Sequence, residues 1–183
     1  MRYQFLNMNE TYAGEIRKWA YEGEYAIYSY ANSESLFDVA NWQNIYAVLN
    51  EDDDLVGEVT FYNNTSDGLE NSFETGDMFY GQGMRPDLIG KGYGPELILQ
   101  ALQFGIDKYD YRRECIFLDV LSFNVRAIKA YEKCGFRFDR RHSKEYDGVQ
   151  YDFVRMYYKN SKKTKGTVPF FFEYNNNIGD SII

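Results

Sequence analysis

A glycine-rich turn that leads directly into a helix is the strongest chemical signal in the sequence. An extended run from residue 79 ends in Gly90-Lys-Gly-Tyr-Gly94, and Pro95 follows where a helix is expected to begin. Proline suits the first helical turn because its missing N–H would be unpaired there anyway. The bare backbone and the free N–H groups at the helix start together predict an anion site, with phosphate as the natural ligand.

Two familiar phosphate-binding loops do not fit this turn. A P-loop ends in Gly-Lys-Ser/Thr, and here no hydroxyl follows Lys91 to place Mg²⁺. The dinucleotide-binding pattern Gly-x-Gly-x-x-Gly would need its third glycine at Pro95. The turn therefore belongs to another kind of anion site.

A second segment carries a recognisable pattern after a short apolar run over residues 115–120. From Asn124 to Phe136 the sequence reads Asn-x-x-Ala-x-x-x-Tyr-x-x-x-Gly-Phe. With the turn, at this order and spacing, it resembles the GNAT superfamily of acetyl-CoA-dependent N-acetyltransferases. The likeness is strong over residues 78–158 and faint before them. Ile89 departs from the family's Gln/Arg-x-x-Gly-x-Gly/Ala turn, which removes a side-chain donor to phosphate but leaves the backbone donors.

The resemblance implies a mixed α/β (α+β) fold, with a mostly antiparallel central sheet flanked by helices and the cofactor between splayed strands. It implies that acetyl-CoA is a co-substrate whose thioester is attacked directly by a primary amine. The cofactor contacts that it implies lie in a strand end, the turn and a helix start, at Gln82, Gly83, Met84, Gly90, Lys91, Gly92, Tyr93, Gly94, Pro95 and Asn124.

Two residues are the predicted catalytic groups. Tyr131 matches the family's general acid, and a tyrosine with a reference pKa of roughly 10 is protonated at neutral pH and can donate to a thiolate. Asp119 is the first candidate for the base, because it interrupts an apolar strand where some relatives carry an acid and burial would raise its pKa. A water-facing edge aspartate is the alternative reading of Asp119. Glu58, Asp77 or a chain of waters are the reserves.

Each of these positions also has a structural reading. Asn124 is a good N-cap and could serve both purposes. Tyr131, as one of 18 tyrosines, would in isolation be called core packing. Gln82 and its neighbours could be an ordinary sheet edge. The resemblance favours the functional readings.

The amine acceptor is expected among the early helices and the hairpin. Aromatic faces beside carboxylates would suit a cationic amine by cation–π and Coulomb attraction. Core aromatics with solvated acids are the other explanation. The residues concerned are Trp19, Tyr21, Glu22, Glu24, Tyr25, Tyr28 and Tyr30. Three functions remain open: an acetyltransferase for a small-molecule amine, a protein acetyltransferase acting on an N-terminus or lysine, and a non-catalytic acyl-CoA-binding domain.

Composition limits the partners. The chain of 183 residues, 44% hydrophobic and 19% aromatic, can form one domain with a substantial core. A formal charge of −8 argues against a nucleic-acid partner, which would need a basic surface. Positive contacts to CoA are then local, from the helix start and Lys91 or Arg85. Cys115 and Cys134 are predicted to be free thiols, and with a single surface histidine they predict no metal site.

Residues 1–159 are predicted to form the acetyltransferase-like domain. A strand over 3–7, a helix over 10–19, a hairpin of 45–49 with 55–62, a strand over 73–84 and a final hairpin of 136–146 with 150–158 would position the site.

The remaining residues, 160–183, are expected to be a flexible tail by default. The apolar segment 168–172 within it could instead dock on a second copy, so a homodimer stays open. No apolar run is long enough to span a membrane and no targeting signal is visible at the start, which predicts a cytoplasmic protein without a membrane partner.

Overall fold

The computed structural model of the chain describes residues 2–32, 38–63, 76–146 and 148–160. Within them the chain forms a seven-stranded sheet, α-helices on both of its faces and short 3₁₀ segments. The sheet and its helices are, in chain order, β1 (Gln4–Asn7), α1 (Glu10–Ile16), β2 (Ile45–Leu49), β3 (Leu55–Asn63), β4 (Met78–Met84), α2 (Gly94–Lys108), β5 (Cys115–Leu121), α3 (Val125–Lys133), β6 (Arg137–Tyr146) and β7 (Val149–Lys159). The 3₁₀ segments are Gly23–Tyr28, Tyr30–Asn32, Val39–Asn44 and Pro86–Leu88.

The strand order is β1-β2-β3-β4-β5-β7-β6, and every neighbouring pair is antiparallel except β4 with β5. The parallel β4–β5 ladder contains only two pairs, Met78 with Ile116 and Phe79 with Phe117, although each strand has seven residues. The two strands therefore diverge after Phe79 and Phe117. This confirms the mixed, mostly antiparallel fold with splayed strands at its centre.

Both faces of the sheet are covered, which is why all five residues of β2 are buried. Tyr46 and Val48 pack in the main core with residues of α2 and α3. Ile45 and Ala47 point to the opposite face, into a second cluster with α1. Alternating side chains of one strand thus join the two layers.

Helix α1 is shorter than the predicted segment 10–19. After Ile16 the backbone switches to i−3 hydrogen bonds, from Lys18 N to Glu15 O and from Trp19 N to Ile16 O, which tighten and end the helix. Trp19 then packs into the second cluster with α1.

The two predicted hairpins are confirmed by the antiparallel pairing of β2 with β3 and of β6 with β7. Strand β4 begins at Met78, whereas the prediction began at residue 73, and 64–75 lie outside the described residues. Of the predicted tail only Asn160 is described: it is buried, and its backbone N–H donates to Glu114 O at 2.7 Å. No helix in the described parts of the chain is long and apolar enough to cross a membrane.

Candidate active site

A cleft of about 1210 Å³ opens where β4 and β5 diverge. Its walls are the end of β4, the turn before α2, one face of α3 and the aromatic-rich residues 21–31. The glycine turn and the segment that begins at Asn124 therefore line one cavity. The diverging strands leave a gap, and the starts of α2 and α3 lie at its border.

The turn before α2 has the backbone that an anion site needs. Gly90 and Gly92 have φ angles of +79° and +88°, a region that residues with a side chain rarely adopt. Helix α2 starts at Gly94 with Pro95 in its first turn, and no side chain caps its N-terminus. Its first free N–H groups are therefore not claimed by a capping side chain.

Most of this turn faces the cleft. Gly90, Gly92, Tyr93, Gly94 and Pro95 all line it. Lys91 is exposed and is not among the lining residues, although its neighbours on both sides are.

The cations that line the cleft come from α3. Arg126, Lys129 and Lys133 follow one another at helical spacing along the cleft wall. Arg85, a cation considered from the sequence, is instead paired with Asp87 at 2.7 Å, and it donates to a backbone carbonyl of β3. The spacing of 3 and 4 residues in α3 was a signal available in the sequence, and it was missed.

Asn124 caps α3 and also faces the cleft. Its side-chain Oδ1 accepts from Ala127 N at 3.1 Å, the N-cap bond that its residue type predicts. Its Nδ2 donates to the hydroxyl of Tyr28 at 3.2 Å, and both residues line the cleft. The cap fixes the side chain at the cleft wall, so the structural and functional readings are compatible.

Tyr131 lies two turns further along α3 and is 8% exposed. Its ring packs edge-on against Phe136, with centroids 5.4 Å apart, while the residue lines the cleft. Burial raises the pKa of Tyr131, so the phenol stays protonated at ordinary pH. No hydrogen bond among the described residues involves its hydroxyl.

The last residues of β4, Gln82, Gly83 and Met84, all line the cleft beyond the point where β5 has turned away. The side chain of Gln82 accepts a short hydrogen bond from the hydroxyl of Tyr80. The carbonyl of Met84 accepts from Tyr21 Oη at 2.9 Å. Gly83 lies opposite the carboxylate-bearing residue Glu58 of β3.

Asp119 lies in the cleft wall, but its carboxylate is engaged by three neighbouring side chains. Arg155 donates two hydrogen bonds of 2.8 Å to its carboxylate, and His142 and Lys144 lie at 2.9 and 3.1 Å. Burial would raise the pKa of Asp119, but the hydrogen bonds from Arg155 and His142 outweigh it and hold the pKa well below its usual range. Such a carboxylate is a poor proton acceptor, which departs from the raised pKa expected from the sequence. His142, expected at the surface, is part of this cluster and only 20% exposed.

Glu58, a reserve candidate, has the properties expected of a base. It is 7% exposed, and its carboxylate accepts hydrogen bonds from Tyr30 Oη at 2.9 Å and Thr60 Oγ1 at 3.1 Å. Burial raises the pKa of Glu58, and hydrogen bonds from Tyr30, Thr60 and the Gly83 backbone oppose the shift. The other reserve, Asp77, is paired with Arg113 at 2.8 Å, just before the opposite end of β4.

The aromatic segment, residues 21–31, lines one side of the cleft with Tyr21, Tyr25, Tyr28 and Tyr30. Three other residues named from the sequence lie elsewhere: Trp19 is buried in the second core cluster, and Glu22 and Glu24 are exposed and do not line the cleft.

Tyr25 connects this segment to the opposite wall of the cleft. Its ring packs edge-on against Phe123 at 5.7 Å, and the guanidinium of Arg126 lies 4.5 Å above it. The segment thereby reaches the start of α3.

The described part of the chain contains no group of three or more His, Cys, Asp or Glu residues that could hold a metal ion. Cys115 and Cys134 are free thiols, and Cys134 is buried beside the first turn of α2, with its Sγ 3.3 Å from Pro95 O.

Comparison with known proteins agrees with this geometry. A chimera of the spermidine N-acetyltransferase SpeG from Vibrio cholerae and hSSAT superposes with a TM-score of 0.67 at 23% identity, covering 88% of this chain and 98% of that one. The Vibrio cholerae spermidine N-acetyltransferase in complex with CoA and spermine gives a TM-score of 0.62 at 22% identity, covering 87% and 96%. No curated protein sequence gave a match. The model of the acetyltransferase (GNAT) family matches residues 11–136, more than half of the sequence, and the chain therefore belongs to this family of N-acetyltransferases.

Proposed function

We propose that the protein transfers the acetyl group of acetyl-CoA to the primary amine of a small molecule, by direct attack of the amine on the thioester. One observation carries the proposal. Asn124 and Tyr131 lie seven residues apart on α3, and both line the cleft that the glycine turn and the end of β4 also border. Seven residues are two helical turns, or roughly 10 Å of rise, so one extended ligand could contact both.

The cleft suits the parts of CoA in turn. The pyrophosphate would lie on the turn from Gly90 to Pro95, where the uncapped start of α2 supplies N–H donors. Lys129 and Lys133 would neutralise the remaining phosphate charge from the facing wall. The pantetheine arm would then run between the divergent strands toward Asn124 and the end of β4.

The chain's own groups can serve the transfer. The backbone edge of β4 around Gln82 and Gly83 would donate to the thioester oxygen as negative charge develops there. As the new C–N bond forms and the C–S bond breaks, Tyr131 would donate its hydroxyl proton to the departing sulfur, and the tyrosinate would then regain a proton from water in the open cleft. Its raised pKa keeps the phenol a hydrogen-bond donor throughout the pH range of the reaction.

We propose that Glu58, rather than Asp119, is the base that accepts the proton from the amine. Glu58 is a buried carboxylate with a raised pKa and no described cation against it, at the strand edge where the acyl group would lie. Asp119 is already neutralised by a bidentate arginine. A base must hold the proton during attack, and only the raised pKa supports that role.

The acceptor is proposed to be a small amine whose carbon skeleton is apolar or can pack against aromatic rings. Four tyrosines line one side of the cleft. The structural neighbour crystallised with CoA and spermine makes polyamines an obvious test. However, Glu22 and Glu24 do not line the cleft, and Asp119 is paired, so the described wall offers little free negative charge to a multiply charged amine.

A thiol-release assay with acetyl-CoA tests the proposal against a panel of polyamines, simple amines, amino acids, aminoglycosides and peptides. Release with a small amine is the expected result. Release with peptides alone would make the protein a protein acetyltransferase. Binding of acetyl-CoA without release for any acceptor would favour an acyl-CoA-binding domain.

A further inference from the structure

We propose that the hydroxyl of Tyr30 is a proton relay between the acceptor amine and Glu58, and hence a further catalytic residue of the proposed reaction. The inference rests on the proposed function. It arises because Tyr30 lines the cleft, whereas Glu58 does not, and the two are joined by a hydrogen bond of 2.9 Å.

The position of Tyr30 is fixed on several sides. Its backbone N–H donates to Trp19 O at 3.3 Å, and its ring packs edge-on against Trp19 with centroids 5.9 Å apart. The ring of Tyr21 lies 6.3 Å away and carries the hydroxyl that bonds to Met84 O. These contacts aim the Tyr30 hydroxyl at the end of β4 rather than at solvent.

Gly83 shows where the hydroxyl sits. A Cβ atom built on Gly83 would overlap the hydroxyl of Tyr30, and the same Cβ atom would lie 3.2 Å from Glu58 Oε1. The hydroxyl thus occupies the side-chain space of a residue at the strand edge proposed to bind the thioester. A proton leaving an amine at that edge meets Tyr30 before it meets the carboxylate.

The proton balance of the relay is simple. As the amine nitrogen forms its bond to carbon, one N–H proton passes to Tyr30 Oη, and the original Tyr30 proton passes to Glu58 Oε1. Tyr30 ends neutral, and Glu58 ends as a carboxylic acid that later returns the proton to solvent. Burial raises the pKa of Tyr30 well above its ordinary value, which disfavours a lasting tyrosinate and suits a concerted transfer.

The test compares Tyr30→Phe, Glu58→Gln and the double variant with wild type. Tyr109→Phe is the matched control, because it removes a half-buried hydroxyl whose partners, Tyr46 at 2.9 Å and Asn44 at 3.2 Å, lie outside the cleft lining. Acetyl-CoA affinity from calorimetry verifies that each variant retains a folded cleft.

The relay predicts that kcat of Tyr30→Phe falls by roughly 10²-fold on the high-pH plateau, with unchanged acetyl-CoA affinity and unchanged kcat in the control. It also predicts that the double variant is no slower than Glu58→Gln, because both changes interrupt one path. A curved dependence of kcat on the deuterium fraction of the solvent should become linear in Tyr30→Phe.

Two results would overturn the relay while leaving the proposed function intact. One is a Tyr30→Phe variant that recovers wild-type kcat at high pH with only a displaced acidic limb, as a residue that merely positions Glu58 would give. The other is a double variant whose loss is the product of the two single losses. If wild type releases no thiol with any amine, the proposed function fails, and the relay fails with it.

Discussion

Asp119 and Arg155 face each other across the β5–β7 ladder, and the guanidinium donates two 2.8 Å hydrogen bonds to the carboxylate. Arg155 is itself only 10% exposed in its side chain, and its Cζ lies 4.8 Å from the ring centroid of Phe79. The pair therefore links β5 to β7 by charge, two residues beyond the last residue of β5 that pairs with β4. These hydrogen bonds connect two strands of which one, β5, borders the cleft.

Asp119→Asn should consequently damage stability more than chemistry. The change leaves a buried guanidinium without a charged partner, and the free energy of unfolding should fall by about 3 kcal/mol. Because the pKa of Asp119 is lowered in the folded state, its contribution is present at neutral pH and is lost as pH falls through the acid range. Denaturant unfolding at pH 7 and in the acid range measures both effects.

The same variant, Asp119→Asn, also tests whether Asp119 is the base. The acidic limb of its rate profile should match that of wild type wherever the protein is folded. A displaced limb would restore Asp119 as the base, the role first inferred from its place in the sequence.

Glu58→Gln should remove that acidic limb. In wild type kcat/KM should fall as pH drops through the raised pKa of Glu58, because a protonated Glu58 can no longer accept the proton from the amine. Glutamine cannot titrate, so the variant should be slower by roughly 10²-fold and flat over that range. A matched control is Glu114→Gln, an exposed acid paired with Lys159 away from the cleft. An acidic limb that persists in Glu58→Gln would assign it to another group.

How much of this site the sequence could predict depended on how local each signal was. The glycine turn, the start of α2 and the N-cap Asn124 are set by a few neighbouring residues, and the structure has the turn and the cap as predicted. The partners of Asp119 lie 23 to 36 residues later in the chain and reach it only through strand pairing. No local pattern could show that pairing.

Glu58 is the clearest case of a distant partner. Its burial depends on Tyr30, which is 28 residues earlier, in a segment with no clear periodicity. An acidic residue in a strand gives no sign of such an enclosure. Glu58 is enclosed by β4, which pairs with β3, and by the aromatic segment, and these parts of the chain meet only in the folded protein.

The anion site should fail when negative charge is added at Gly94. Gly92→Glu is a less clean variant, because the φ of +88° would strain any side chain there. Gly94 begins α2 at an ordinary φ, and a built Cβ meets nothing within 4 Å. Gly94→Glu should weaken acetyl-CoA binding by roughly 10-fold or more, a difference of about 1.4 kcal/mol or more, through repulsion of the pyrophosphate.

Gly94→Gln is the control of equal size, and it should bind much more tightly than the glutamate variant in calorimetry. Equal affinity for the two would mean that no phosphate lies at the start of α2. Since no metal has a role in the proposed reaction, dialysis against a chelator should leave the activity of wild type intact.

Lys129 and Lys133 should contribute to affinity through charge. Their joint replacement by glutamine should weaken acetyl-CoA binding roughly 5-fold at low ionic strength, and the deficit should shrink as salt screens the interaction. Lys108→Gln, at the far end of α2 and outside the cleft lining, provides the comparison. A deficit independent of salt, or equal in Lys108→Gln, would argue against phosphate contacts from α3.

Tyr131→Phe should separate binding from chemistry. The ring keeps its edge-on contact with Phe136, so the fold and acetyl-CoA affinity should be nearly unchanged. Turnover should fall by roughly 10²-fold or more, because the departing sulfur loses its proton donor. The loss should shrink with an acyl donor whose leaving thiol is more acidic, since a better leaving group needs less assistance. If Tyr131→Phe turns over at the wild-type rate while Tyr109→Phe does the same, the sulfur leaves unassisted and Tyr131 is a packing residue of α3.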